Sequence, residues 1–178
     1  MLIILLGTLL VLLAILSIVI ARRPATFSYG RSRLIAAPPE RIYPLVEDFR
    51  AWTRWSPWEN LDPASVRTYG ATTAGVGATY HWKGNAKVGE GRMEIRAVQP
   101  PTGLEIAITF IRPFAASNRV DFTFIPGPTG TTVTWTMSGR NGFMAKAMGL
   151  VIDCERMVCT PFEQGLAQLT ALSESTPS

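Results

Sequence analysis

Proton transfer in an active site needs a titratable group with a pKa near neutrality and a partner that orients it. The chain offers one histidine, His81, in the run TYHW. Alternation along an extended segment sets His81 opposite Tyr80 and Trp82, so if the two rings face inward the imidazole faces solvent. Polar groups stand beside an aromatic stretch (Glu59, Asn60), in turns (Asn85, Glu90) and near the C-terminus (Asp153, Glu155). Singly, each suits a cap or a solvated charge. Catalysis would require groups such as Glu59, Glu90, Asn118 and Asp153 to converge inside a pocket. Cys154 and Cys159 are five residues apart; on a helix that is about 7.5 Å along the axis and about 140° around it. They should not bond each other, and their spacing fits no zinc pattern, which leaves them as small buried hydrophobes. No serine sits in a GxSxG elbow, and GVGATY lacks the third glycine and following helix of a dinucleotide loop. No catalytic set, metal site or cofactor is predicted.

The elements that would have to position any site begin with LIILLGTLLVLLAILSIVIA, Leu2–Ala21, which carries no charge. As a helix it would be about 30 Å long, the thickness of a bilayer's hydrocarbon core. No Lys or Arg precedes Leu2, and Ile18 stands where a cleavage site would want a small residue, so a retained anchor over residues 1–23 is expected in place of a secretory leader. Arg22, Arg23, Arg31 and Arg33 follow with no acid among them, which places the rest of the chain in the cytoplasm, on a single-pass protein of the cell membrane. The net charge of +4 is otherwise thinly spread. An acid-free basic stretch beside an anchor matches anionic lipid, and no nucleic-acid footprint is present.

The remaining length fits one domain, residues 24–175, with 176–178 as a disordered tail. TFSYGRSRLIAA, residues 26–37, reads as a strand, and Pro39 and Glu40 suit the first turn of a helix that Pro44 should kink or split. From Ser65 to Arg140 the period becomes two: GRMEIRAV sets Met93, Ile95 and Ala97 on one side, LEIAITF sets Leu104, Ile106, Ile108 and Phe110, RVDFTF sets Val120, Phe122 and Phe124, and TTVTWTMS sets Val133, Trp135 and Met137. Turn signals separate these strands without intervening helices, so they form an antiparallel meander. A long helix over residues 143–173 closes the chain, bent at Pro161, with Cys154, Val158, Phe162, Leu166 and Leu169 along one face. Gly165 either lets a bulky group approach or is a tolerated helix glycine.

This order of elements resembles the helix-grip fold, an α+β architecture in which a curved seven-stranded antiparallel sheet wraps around a long C-terminal helix, here preceded by one transmembrane helix. APPERIYPLVEDFRAWTRWSPWENLDP, GVGATYHWKGNAKVGEGRMEI and GFMAKAMGL are similar to segments of the SRPBCC superfamily, in its polyketide cyclase/dehydrase branch. That superfamily includes lipid carriers, hormone and allergen-type binding proteins, aromatase/cyclases and activators of a heat-shock ATPase, so the fold alone selects no activity. The resemblance implies an apolar cavity between the concave sheet and the closing helix. Patterning alone describes a filled core equally well.

On that basis the candidate ligand-binding residues are Trp55, Trp58, Tyr80, Trp82, Met93, Ile95, Ile106, Ile108, Phe110, Phe122, Phe124, Trp135, Met137, Met148 and Ile152. FRAWTRWSPW spaces Trp52, Trp55 and Trp58 by three, so the rings can share a face. They read as a plug at the end of the grip, with ligand contact and headgroup anchoring as other roles. The leading expectation is membrane-tethered binding or transport of a hydrophobic small molecule or lipid in an apolar cavity. The alternatives are a polyketide cyclase/dehydratase-like enzyme and a module recruiting an unidentified protein partner to the inner membrane.

Overall fold

The computed structural model describes residues 1–175; the predicted tail, 176–178, lies outside them. Helix α1 (Leu2–Ala21) leads into β1 (Thr26–Ile35) and α2 (Pro39–Glu47). Two 3₁₀ turns, Ala51–Arg54 and Pro57–Asn60, carry the tryptophans. Then come β2 (Val66–Tyr69), β3 (Thr79–Lys83), β4 (Glu90–Gln99), β5 (Gly103–Arg112), β6 (Ala116–Gly127) and β7 (Gly130–Arg140), followed by α3 (Phe143–Met148) and α4 (Cys154–Glu174). The strands form one antiparallel sheet in the order β1-β7-β6-β5-β4-β3-β2, the meander expected, with the first strand closing onto the last. Helix α1 is long and apolar enough to cross a membrane by length and composition, a test that a signal sequence also passes. Its Leu2, Leu5, Leu9 and Leu16 lie exposed, whereas Ile20 at its end is buried.

Three local features depart from the sequence reading. The predicted C-terminal helix is two helices. The amide of Gly149 closes α3 by donating to Ala145 O, and Asp153 starts α4 by accepting from the Arg156 amide at 2.9 Å. Helix α2 runs unbroken through Pro44, whose ring is exposed. In β4 a bulge between Ile95 and Ala97 leaves Arg96 unpaired, so Ala97 turns to solvent and Val98 takes the inner position opposite Leu104.

Register fixes which side chains share the concave face, because directly opposed residues of antiparallel strands point the same way. One row runs Arg31, Trp135, Phe122, Leu104; the next runs Tyr29, Met137, Val120, Ile106, Ile95; a third runs Phe27, Gly139, Asn118, Ile108, Met93, Tyr80; a fourth runs Ala116, Phe110, Gly91, Trp82. Helix α4 lies along β1 in the same direction. Arg31 Nε bonds Glu163 at 2.6 Å, Arg31 Nη1 reaches Glu155 at 3.4 Å, and the Ala36 amide donates to Glu174 Oε1 at 2.8 Å. Because α4 begins beside Tyr29 and Arg31, it covers the first two rows and leaves the third and fourth at its open end.

Candidate functional site

The interior beneath α4 is built from the tryptophan run. The last carbonyls of a helix have no partner within it, and two indoles supply them for α2: Trp52 Nε1 donates to Val46 O and Trp55 Nε1 to Leu45 O, each at 2.8 Å. Spacing by three delivers both rings to one side of the 3₁₀ turn. There Trp52 and Trp55 meet each other at 5.0 Å, and Trp55 and Trp58 each meet Trp135 at 5.5 Å. Trp135 is held between Phe122 and Phe162, its centroid 4.8 Å from the first and 4.2 Å from the second. Gly165 is the helix position that admits this: an added Cβ would stand 2.9 Å from the Trp135 ring and 3.2 Å from Pro57 Cδ. The plug role expected for the tryptophans is the one this packing displays. The hollow expected at this level of the grip is filled with protein, because six aromatic side chains pack into the space.

The candidate ligand residues fall into groups. Trp55, Ile95, Ile106, Phe122, Phe124 and Trp135 are each at most 2% exposed and pack against protein. Tyr80, Trp82, Met93 and Met137 are buried nearer the open end, Trp58 is half-buried beside α4, and Ile108 and Phe110 are half-buried in the two open rows. Met148 and Ile152 sit apart from the sheet rows, on α3 and on the turn after it.

Along the row from Ile108 the structure places Asn118 on the next strand and, across Gly139, Phe27 on β1 with Tyr29 beside it. Phe27 and Tyr29 stack at 4.9 Å, and Asn118 Nδ2 lies 3.9 Å from Met137 Sδ. Sequence reasoning did not select Phe27 or Tyr29, although their i, i+2 spacing in TFSYG was the signal. Gly139 makes room for them: a Cβ there would collide with Asn118 and approach Phe27 Cε1 to 2.9 Å. An open hollow of about 460 Å³ lies at this end of the sheet; Thr26, Ser117, Arg119, Ser138 and Arg140, which alternate onto the outer face, line most of it together with Phe27, Asn118 and Gly139, and it does not reach Ile108 or Phe110.

The polar candidates do not converge. Glu59, buried near the Trp58 turn, accepts from Arg67 Nε at 2.5 Å and from Tyr80 Oη at 2.7 Å, while Arg67 Nη2 donates to Glu59 O at 2.7 Å. Burial, and then the bond to Glu59, push the Tyr80 phenol far above its ordinary value, so it stays a donor. His81 is half-exposed on the other face, with Nε2 3.4 Å from Glu90 Oε1. The bond from Arg112 holds the Glu90 carboxyl below its ordinary value. Asp153 is exposed and caps α4. Cys154 and Cys159 are free thiols, the second buried. Among the described residues no group of His, Cys, Asp and Glu is arranged to hold a metal ion.

A curved antiparallel sheet gripping a terminal helix, with an apolar concave face, defines the class, and comparison places the chain within it. Residues 26–174 match the family model described as polyketide cyclase / dehydrase and lipid transport. The chain therefore belongs to that family, of the SRPBCC superfamily. No curated protein matches. Among solved structures the chain is similar to protein MLL2253 from Mesorhizobium loti (TM-score 0.63, 20% identity, 85% of this chain and 100% of that one). It is similar also to CV1439 from Chromobacterium violaceum (TM-score 0.61, 19% identity, 84% and 98%). A third is the di-domain ARO/CYC BexL from the BE-7585A biosynthetic pathway (TM-score 0.64, 15% identity, 89% of this chain and 53% of that one). At these identities the likeness is one of fold.

Proposed function

We propose that the protein is a membrane-anchored domain that binds an apolar small molecule or lipid at the open end of its grip and exchanges it with the bilayer. The observation that carries this is a coincidence of position. The half-exposed apolar rows with Phe27, Ile108 and Phe110 lie at the end of the sheet where β1 begins, which is also where α1 leaves it. An apolar ligand partitions into membrane, so a site tethered at that surface meets it at raised effective concentration. The family description, which includes lipid transport, supports the same reading. The domain is taken as residues 24–175, the anchor as 1–23, and its cytoplasmic orientation rests on the arginines after α1.

The full chain, purified from membranes in a mild detergent, would be extracted with solvent and the extract examined by mass spectrometry. Uptake of a fluorescent fatty acid from vesicles would be followed alongside. A recurring apolar molecule and saturable uptake are expected. Their joint absence would sink the carrier reading and favour a protein-recruiting module, for which a packed interior and exposed apolar surface are also suited.

The family description and the ARO/CYC relative favour an enzymatic alternative, a cyclase or dehydratase. In the open rows the amide of Asn118 faces the apolar side chains, and the Tyr80 hydroxyl is bound to Glu59. The buried acid, Glu59, is already committed to Arg67 and Tyr80.

A further inference from the structure

The segment GFMAKAMGLVI, residues 142–152, contains one charge, Lys146, and no acid. It folds as α3 and the turn that follows, and it leaves its apolar side chains outside: Val151 is 86% exposed, Met144 66% and Phe143 54%, with Leu150 and Ile152 exposed beside them. Phe143, Met144 and Ala147 follow helical spacing on α3, and Leu150 and Val151 continue the apolar surface in the turn after it. A short stretch this apolar and unpartnered needs something to cover it.

What covers it is indicated by what α3 is fastened to. Lys146 Nζ donates to Ala21 O, the last residue of α1, at 3.2 Å; Arg23 Nη1 donates back to Lys146 O at 3.5 Å, and Ile20 is buried in this contact zone. Helix α3 is thereby held at the level where α1 ends. If α1 spans the bilayer, that level is the headgroup boundary. Close to this segment in the chain, or bonded to it, are the cations Arg22, Arg23, Arg140, Lys146 and Arg156 against the acids Asp153 and Glu155, and Glu155 lies in the ion-pair network of Arg31. An apolar surface accompanied mostly by cations is the composition of a helix lying in an anionic membrane interface.

We infer that α3 and the turn to α4 form a second membrane contact, inserting Phe143, Met144, Leu150 and Val151 into the interface of an anionic bilayer and seating the grip with its open end toward the lipid. This rests on the proposed anchoring by α1. It adds that the domain does not swing freely from its tether and that the path from bilayer to the Phe27–Ile108 rows is short.

The test uses the full chain, with Cys154 and Cys159 replaced by serine, in vesicles of phosphatidylcholine and phosphatidylglycerol. A single environment-sensitive label is placed by Val151→Cys, by Leu10→Cys within α1, or by Ile125→Cys at the far end of β6, and nitroxide-bearing lipids serve as quenchers. Quenching at 10 and at 151 but not at 125 is the expected result, with the label at 151 quenched most by nitroxides near the headgroups. Quenching at 10 with position 151 as exposed to an aqueous quencher as 125 overturns the insertion and leaves the anchor intact. No lipid quenching at 10 overturns the anchor and the insertion together. Protection at 151 from the aqueous quencher without lipid quenching, varying with protein density, identifies a second copy on this face and also overturns the proposal.

Discussion

Trp135 lies nearly parallel to Phe162, ring centroids 4.2 Å apart and planes 12° from parallel, yet its buried indole N–H has no partner among the described residues. Trp55, packed 5.5 Å from it, donates its own N–H to Leu45 O. Trp→Phe at either site removes a similar volume, but only Trp55→Phe also orphans a helix-end carbonyl. A lost buried hydrogen bond costs about 1–3 kcal/mol, whereas removing an already unsatisfied donor recovers part of its desolvation. Trp55→Phe is therefore expected to destabilise by about 1–2 kcal/mol more than Trp135→Phe, read from denaturant midpoints of the full chain in detergent. Equal costs would mean that the unpartnered N–H is in fact satisfied.

Gly165→Ala sets helix propensity against packing. Propensity alone favours alanine in a helix by about 1 kcal/mol. The new Cβ would sit 2.9 Å from a Trp135 ring wedged between Phe122 and Phe162, and overpacking a filled core costs about 1–3 kcal/mol. Net destabilisation of about 1 kcal/mol is expected. A rise in the melting midpoint would show that the aromatic stack has room to shift.

The fold was legible because period-two alternation in four long strands and a helical stripe ending in Phe162, Leu166 and Leu169 survive folding almost unchanged. The bulge at Arg96 was not, since it depends on pairing with Glu105 and leaves no mark on the local pattern. Nor was the break between α3 and α4: Met148 and Ile152 continue the apolar spacing, and Asp153 becomes a cap only once the chain has turned. The aromatic positions of the interior were readable as apolar and inward. Which of them touch protein and which stand at an opening is decided by where α4 starts along β1, a tertiary fact that the burial of Phe162, Leu166 and Leu169 carries and the pairing of Arg31 with Glu155 and Glu163 marks. That is why Phe27 and Tyr29 escaped selection while Trp55 and Phe122 did not.

Glu59 is a buried acid in a family whose description includes cyclases and dehydrases, and the two roles open to it separate cleanly. As a clasp it ties the Pro57–Asn60 turn to β2 and β3 through Arg67 and Tyr80. Glu59→Ala would orphan the buried Tyr80 hydroxyl and leave the Arg67 guanidinium only its bond to the backbone carbonyl, at a cost of about 1–3 kcal/mol, with ligand uptake by the folded fraction unchanged. Loss of a measured activity without loss of stability would point instead to catalysis.

Glu90 carries the pH prediction. Its carboxyl is held below the ordinary 4.5 by the bond from Arg112. A group with a lowered folded pKa contributes stability above its unfolded value and loses it as pH falls through the folded one. The wild-type denaturation midpoint should thus fall below about pH 4.5 more steeply than that of Glu90→Gln, the two curves converging at low pH. Parallel curves over that window would remove Glu90 from the acid response.

Ile108 gives the most direct test of where a ligand sits. It is half-buried in the open row between Asn118 and Met93, whereas Leu34, 54% exposed on the opposite face of β1, touches no part of that row. Burying an aliphatic side chain against a ligand is worth about 1.5–3 kcal/mol, and about 1.4 kcal/mol is a tenfold change in affinity. Ile108→Ala should weaken uptake of a fluorescent fatty acid from vesicles by about tenfold, Ile108→Asp should abolish it, and Leu34→Ala should leave it unaltered, each with an unchanged circular dichroism spectrum. Trp135→Ala, by emptying a filled stack beneath α4, should lower stability first. If Trp135→Ala instead cuts affinity in a protein of normal stability while Ile108→Asp does not, the ligand enters under α4, and the aromatic plug is the part that opens.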